Sequence, residues 1–120
     1  MEDERRLHPR LEIPLTVDFR LQGSEAWQRG TIKNLSAGGA ALYTDSEVPV
    51  GSLLANFRFT LPEEPASGEP IDVAALVLRS GPDETETAKG QYLSGLHFLD
   101  LEGAAFERVR LFVFRQLAGS

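Results

Sequence analysis

The chain has 120 residues, 42% hydrophobic and 25% charged, with a formal net charge of −6 and no cysteine. That length supports one domain with a single hydrophobic core, and the missing cysteines exclude disulfides, thiolate metal sites and cysteine nucleophiles together. The acidic balance argues against general nucleic-acid binding, and no apolar run approaches the roughly 20 residues of a membrane span.

The first ten residues are charged, with no apolar segment following them, so a cytoplasmic location is expected and membrane insertion is not. Arg5, Arg6, His8 and Arg10 gather there, whereas Glu63, Glu64, Glu69, Asp83, Glu84 and Glu86 fall in two later stretches. A small basic mouth on an acidic body favours a compact polyanion over a long one. Residues 1–10 read as a polar segment that stays flexible until something ties it down.

Strict alternation begins at Leu11. Leu11, Ile13, Leu15, Val17, Phe19 and Leu21 occupy every second position, with Glu12, Thr16, Asp18 and Arg20 between them, which predicts a strand with one buried face. Gln22-Gly23-Ser24 punctuates it. A second strand is expected from Ala26 to Leu35, with Trp27 on it or at its start, and a third from Ala40 to Thr44. Leu53, Ala55, Phe57, Phe59 and Leu61 alternate again, and Ile71 to Arg79 and Gln91 to Leu99 bring the expected count to six. The stretches Pro62 to Pro70 and Ser80 to Gly90, rich in glycine, proline and acids, fit exposed loops.

Six short strands with no helical pattern between them point to an all-β-dominated domain, an antiparallel barrel over residues 11–99, with a Greek-key sandwich as the other arrangement. After Asp100, read as a helix N-cap, Phe106, Val109, Phe112, Val113 and Leu117 recur at helical spacing, so a C-terminal helix is expected over 101–117. Leu111 and Phe114 lie off that stripe. Burial on more than one side of the helix is the simpler account of them, and contact with a partner chain the other.

Two short segments carry the candidate binding chemistry. In Arg6-Leu7-His8-Pro9-Arg10 two guanidiniums are held near each other by a segment stiffened at Pro9, and such forks suit bidentate recognition of phosphate or a guanine edge. Asn34-Leu35-Ser36-Ala37-Gly38-Gly39 reads as a polar turn in which Asn and Ser supply donors and acceptors and the glycines admit a ligand to the main chain. Gly38 is expected to permit an unusual turn conformation. No enzyme is indicated: His8 and His97 lack metal-ligand spacing, Ser36 has no sequence-local base, and the glycine turn lacks the Gly-Lys-Ser/Thr ending of a Walker loop.

The ordered pair resembles the signature of the PilZ family of bacterial cyclic di-GMP-binding domains, an Arg-x-x-x-Arg element followed by Asp/Asn-x-Ser-x-x-Gly. Arg6 and Arg10 match the first element; Asn34, Ser36 and Gly39 match the second. The resemblance implies a six-stranded split barrel with a C-terminal helix, a single PilZ-like domain over 1–120, no cofactor, and cyclic di-GMP as ligand. By the same resemblance Arg6 and Arg10 contact guanine edges and phosphates, Asn34 and Ser36 hydrogen-bond the ligand, and Gly39 keeps the surface open. Arg5, immediately before the arginine element, implies two stacked ligand molecules per chain. Output then runs through ordering of residues 4–11 and a changed surface for an effector protein. A ligand-independent interaction module and a barrel for single-stranded nucleic acid are the alternatives, the latter ranked last because the phenylalanines fall on core positions and the charge is acidic.

Overall fold

Alternating burial closes this sheet on itself. The computed structural model describes residues 9–62, 69–83 and 90–119, so Arg5, Arg6, His8 and the acids Glu63, Glu64, Glu84 and Glu86 lie outside the described residues. The strands are β1 (Leu11–Leu21), β2 (Gln28–Leu35), β3 (Gly39–Thr44), β4 (Leu53–Phe59), β5 (Ile71–Pro82) and β6 (Tyr92–Phe98), followed by helix α1 (Gly103–Ala118). They form a closed antiparallel barrel in the order β1-β2-β3-β6-β5-β4. Pairing of β1 with β4, Phe19 opposite Phe57 and Asp18 opposite Arg58, closes the ring and leaves no open edge for another chain to extend. This is the barrel, not the sandwich.

Inward positions fill the interior with Val17, Phe19, Ile32, Leu42, Leu54, Phe57, Val73 and Val77, all essentially inaccessible. Phe57 packs edge-on against Phe59 at 5.7 Å and lies 5.7 Å from Phe98, so the three rings share one end of the core. Burying side chains of this size stabilises by about 1.5–3 kcal/mol each, before the ordering cost is subtracted.

Two bulges break the alternation where it matters for the outer face. On β2, Ile32 pairs with Leu42 but Asn34 pairs with Ala41, so Lys33 is the extra residue. A strict period of two would turn Asn34 inward with Ile32. The bulge resets the phase, burying Leu35 and leaving Asn34 on the outside. On β5, Val77 pairs with Leu96 and Arg79 with Gly95, so Leu78 and Arg79 both face out.

Several boundaries differ from the sequence expectation. β5 continues through Ser80-Gly81-Pro82, which had the composition of a loop, because these residues pair with Ser94, Leu93 and Tyr92 of β6. Trp27 lies just before β2 rather than on it. Asp100 does not cap the helix: its carboxylate accepts the Ala74 N–H at 2.8 Å, and the N-cap is Glu102, which makes no side-chain cap bond. The helix buries Val109, Phe112 and Val113 in the barrel core, with Phe106 partly covered. Its predicted stripe is open at the C-terminal end, where Leu117 is exposed, and Phe114, off the stripe, stands 59% exposed, so burial on another side of the helix does not account for it.

Candidate functional site

The Asn34–Gly39 segment is a turn that holds itself together. The Ser36 hydroxyl accepts the N–H groups of Gly38 at 3.1 Å and Gly39 at 3.2 Å, while the Ser36 N–H donates to the Gly39 carbonyl at 2.9 Å. Ser36 is only 7% exposed, so its oxygen is committed to the loop backbone. One carbonyl of the turn reaches further: Gly38 O accepts the Phe98 N–H at 2.9 Å, stitching the loop to β6. Positive φ occurs at Gly23, Gly51, Gly90 and Gly103, so Gly38 supplies no left-handed turn. Gly39 answers to packing, because a β-carbon there would run into the carbonyl oxygen of Leu96 and lie 3.1 Å from its carbon. Only glycine lets β3 approach β6 this closely.

Asn34 faces outward at one end of a single cross-strand row. Asn34 pairs with Ala41, Ala41 with Gly95, and Gly95 with Arg79. Two polar side chains therefore flank a floor carrying one methyl group and none. Arg10 reaches this row from the N-terminal side, its Nη1 donating to Asn34 Oδ1 at 3.3 Å. From the other wall the Arg79 side chain lies across β6. A β-carbon on Gly95 would sit 3.3 Å from its Nε, so Gly95 makes room for that guanidinium. The result is a cleft of about 560 Å³ whose walls carry Arg10, Lys33, Arg79 and Asp83 and whose floor includes Ala41 and Gly95.

Among the described residues, three cations against one carboxylate give the cleft a positive balance on a chain whose net charge is −6. At the far end, Lys33 Nζ stands 5.9 Å from the centre of the Tyr43 ring. The Tyr43 phenol is held above its ordinary pKa by burial first and by its hydrogen bond to Asp83 second, with the Lys33 charge opposing. Asp83 is itself 9% exposed. Sites of such small volume with a few convergent charged groups suit a compact anionic ligand.

Of the residues singled out from sequence, Arg10, Asn34, Ser36 and Gly39 lie together at this cleft or in the turn beneath it, and Arg5 and Arg6 fall outside the described residues. Lys33, Arg79 and Asp83 were missed. The signal for Arg79 was Gly95, a glycine inside an apolar strand pattern, which marks close approach of another group. His97 faces solvent opposite Gly39, and no cluster of metal-ligating side chains occurs among the described residues.

An arginine from the N-terminal segment bonded to the asparagine that opens the glycine turn joins the two sequence elements in one place. The PilZ domain model matches residues 4–115. The chain belongs to the PilZ family. No curated protein matches it significantly. Among solved structures this PilZ chain is similar to the Bacillus subtilis inhibitor of motility MotI/DgrA, at 22% identity and a TM-score of 0.82, covering 97% of this chain and 53% of that one. It is also similar to the PilZ domain of Escherichia coli YcgR solved with c-di-GMP, at 14% identity and a TM-score of 0.71, covering 97% and 98%. The K. pneumonia MrkH–c-di-GMP complex aligns at 19% identity and a TM-score of 0.77, covering 96% and 53%. The chain thus spans about half the length of the MotI and MrkH chains. At these identities the likeness establishes the fold, the six-stranded barrel with its C-terminal helix.

Proposed function

We propose that this PilZ chain is a bacterial, cytoplasmic receptor for cyclic di-GMP that passes the signal to an effector protein and catalyses no reaction. The observation that carries the reading is the row Asn34–Ala41–Gly95–Arg79 with Arg10 bonded to Asn34 at its edge. Cyclic di-GMP offers two phosphates and two guanine Hoogsteen edges with acceptors at O6 and N7, and guanidinium forks match both. The solved relatives that hold this ligand support it.

In this reading Arg6 and Arg10 grip guanine edges and phosphates, Asn34 both aims Arg10 and bonds the ligand, and Arg79 closes the opposite wall. Ser36 and Gly39 act as positioning residues: one fixes the turn, the other sets the β3–β6 spacing on which the floor depends. Arg5 adds the charge that a second stacked ligand requires. Binding orders residues 4–11 against the barrel and alters the surface an effector reads, an effect no larger than the ligand's differential affinity for the two states.

Isothermal titration with cyclic di-GMP, alongside the Arg6→Ala/Arg10→Ala variant, tests the reading. Micromolar or tighter binding that disappears in the variant supports it, and a stoichiometry near one removes the role given to Arg5. Unchanged amide-exchange protection of residues 4–11 at saturation removes the ordering step. The exposed Phe114 and Leu117 on α1 favour a second reading, a ligand-independent interaction module, which the absence of any binding by folded protein would select.

A further inference from the structure

Helix α1 carries two unlike halves on its outer side. Val109, Phe112 and Val113 turn one side of the helix into the barrel core, so Gly103, Glu107, Arg110 and Phe114 share the opposite, exposed side. Towards its N-terminus that side presents two carboxylates, Glu102 and Glu107, around the small pair Gly103-Ala104, all exposed. The Glu102 side chain makes no cap bond, and a β-carbon on Gly103 would meet nothing within 4 Å, so this end is an open hollow rimmed by acids. Towards the C-terminus the same side presents Arg110 and Arg115 around a large apolar group, Phe114, which is 59% exposed. No acidic residue follows Glu107 in the chain. A lone exposed aromatic needs no explanation. One set between two cations, with two carboxylates and a hollow at the other end of the same helix, is half of a matching pair.

We propose that α1 docks on α1 of a second copy of this chain, the two helices antiparallel about a two-fold axis that passes between Arg108 and Val109. Positions equidistant from the axis then face each other: Phe114 meets the partner's Gly103, Arg110 meets the partner's Glu107, and Arg115 meets the partner's Glu102. Phe114 and Gly103 each lie about 8 Å along the helix from the axis, in opposite directions, so the aromatic ring of each copy falls on the hollow of the other. Every contact occurs twice. Parallel pairing in register would set Glu against Glu and Arg against Arg and leave both hollows empty, so charge selects the antiparallel arrangement, which also opposes the two helix dipoles. Glu107 and Arg110 are already bonded to each other at 2.8 Å while about half exposed, so both are in position to meet a second pair. A single helix pair covers less than the roughly 1,200–2,000 Å² of a stable interface, and the expected affinity is weak, on the order of 100 μM. Among the described residues none that lines the cleft comes from α1, so this pairing is independent of the receptor reading.

The test is analytical ultracentrifugation of the full, ligand-free chain from about 10 μM to about 1 mM, a range that brackets that affinity. The mean mass should climb from 13.2 kDa toward twice that value. Phe114→Ala should remove detectable dimer, because an anchor lost from a two-fold interface is lost twice, whereas Leu78→Ala, at an equally open apolar position on β5, should not. Arg115→Glu should weaken association by about 5-fold or more, and the swap Glu102→Arg/Arg115→Glu should restore it to within about 2-fold of wild type. A wild type that stays at 13.2 kDa throughout overturns the proposal and leaves this face to a different partner. A dimer indifferent to Phe114→Ala, or weakened as much by Leu78→Ala, also overturns it. So does a charge swap that fails to rescue Arg115→Glu, since the antiparallel register requires that pair. Should Phe114→Ala prove unfolded by circular dichroism, the charge swap decides alone.

Discussion

Two outer faces of the same barrel both carry arginines and use them in opposite ways. On the face that runs from β2 across β1 and β4 to β5, Arg29 bonds Asp18 at 3.0 Å, Arg58 bonds Asp72 at 2.8 Å, and Arg20 forks onto Asn56 Oδ1 at 3.0 and 2.7 Å. Arg20 and Arg58 also lie 5.5 and 4.8 Å from the centre of the Trp27 ring, covering much of an otherwise exposed indole. That face is a closed network, its charges answered by neighbours. On the β2–β3–β6–β5 face, Arg79 has no carboxylate partner among the described residues and spans a floor of alanine and glycine. If the receptor reading holds, the lesson is that cation count does not mark a binding site; what surrounds each cation does.

The sharpest way to break the contrast is to fill the gap that positions the floor. Gly39→Ala should destabilise the fold by about 2–4 kcal/mol in urea denaturation, because the clash is with the Leu96 backbone and cannot be relieved by a rotamer change. In an ordinary strand the same change would stabilise by several tenths to 1 kcal/mol, so the sign alone is informative. Next, Arg10→Ala and Arg79→Ala should each weaken cyclic di-GMP binding by about 1.5–3 kcal/mol in calorimetry, with the melting temperature unmoved. Arg58→Ala makes the mirror experiment: binding unchanged and stability lowered by no more than about 1 kcal/mol, since its partners are half-exposed.

The smallest effect belongs to the helix surface. Arg110 bonds Glu107 at 2.8 Å and holds its carboxyl below the ordinary value of 4.5, through the hydrogen bond first and the charge second. A depressed carboxyl contributes stability above its unfolded pKa and loses it as pH falls through the folded value, so any effect lies on the acid side. Both side chains are solvated, and Glu107→Gln should leave the acid unfolding midpoint unchanged within error.

Much of this architecture could be read from the chain alone. β1 appears at its observed limits because six apolar residues alternate without interruption, and the Asn34–Gly39 turn is visible in its composition. Local chemistry misled where a distant pairing overruled it. Ser80-Gly81-Pro82 has turn composition, yet β6 supplies partners for it, and Asp100 has a cap's side chain but spends it on Ala74. The bulge at Lys33 leaves no local mark, so the outward turn of Asn34 and its place in a row ending at Arg79 emerge only when four strands are side by side. Ser36 and Gly39 were found for a ligand's sake, and the geometry adds a second reason for each in the turn and the strand spacing.

The floor of Ala41 and Gly95 also has a thermodynamic meaning. Neither residue has rotamers to lose, so covering that surface costs no side-chain entropy, whereas each immobilised arginine surrenders up to about 2 kcal/mol. In the proposed receptor, ordering on association is thereby confined to the walls, chiefly Arg10, Lys33 and Arg79. A site built this way tunes its affinity through how rigidly those few long side chains are already held. In the proposed receptor, the Arg10–Asn34 hydrogen bond is then a share of that ordering made before any ligand arrives.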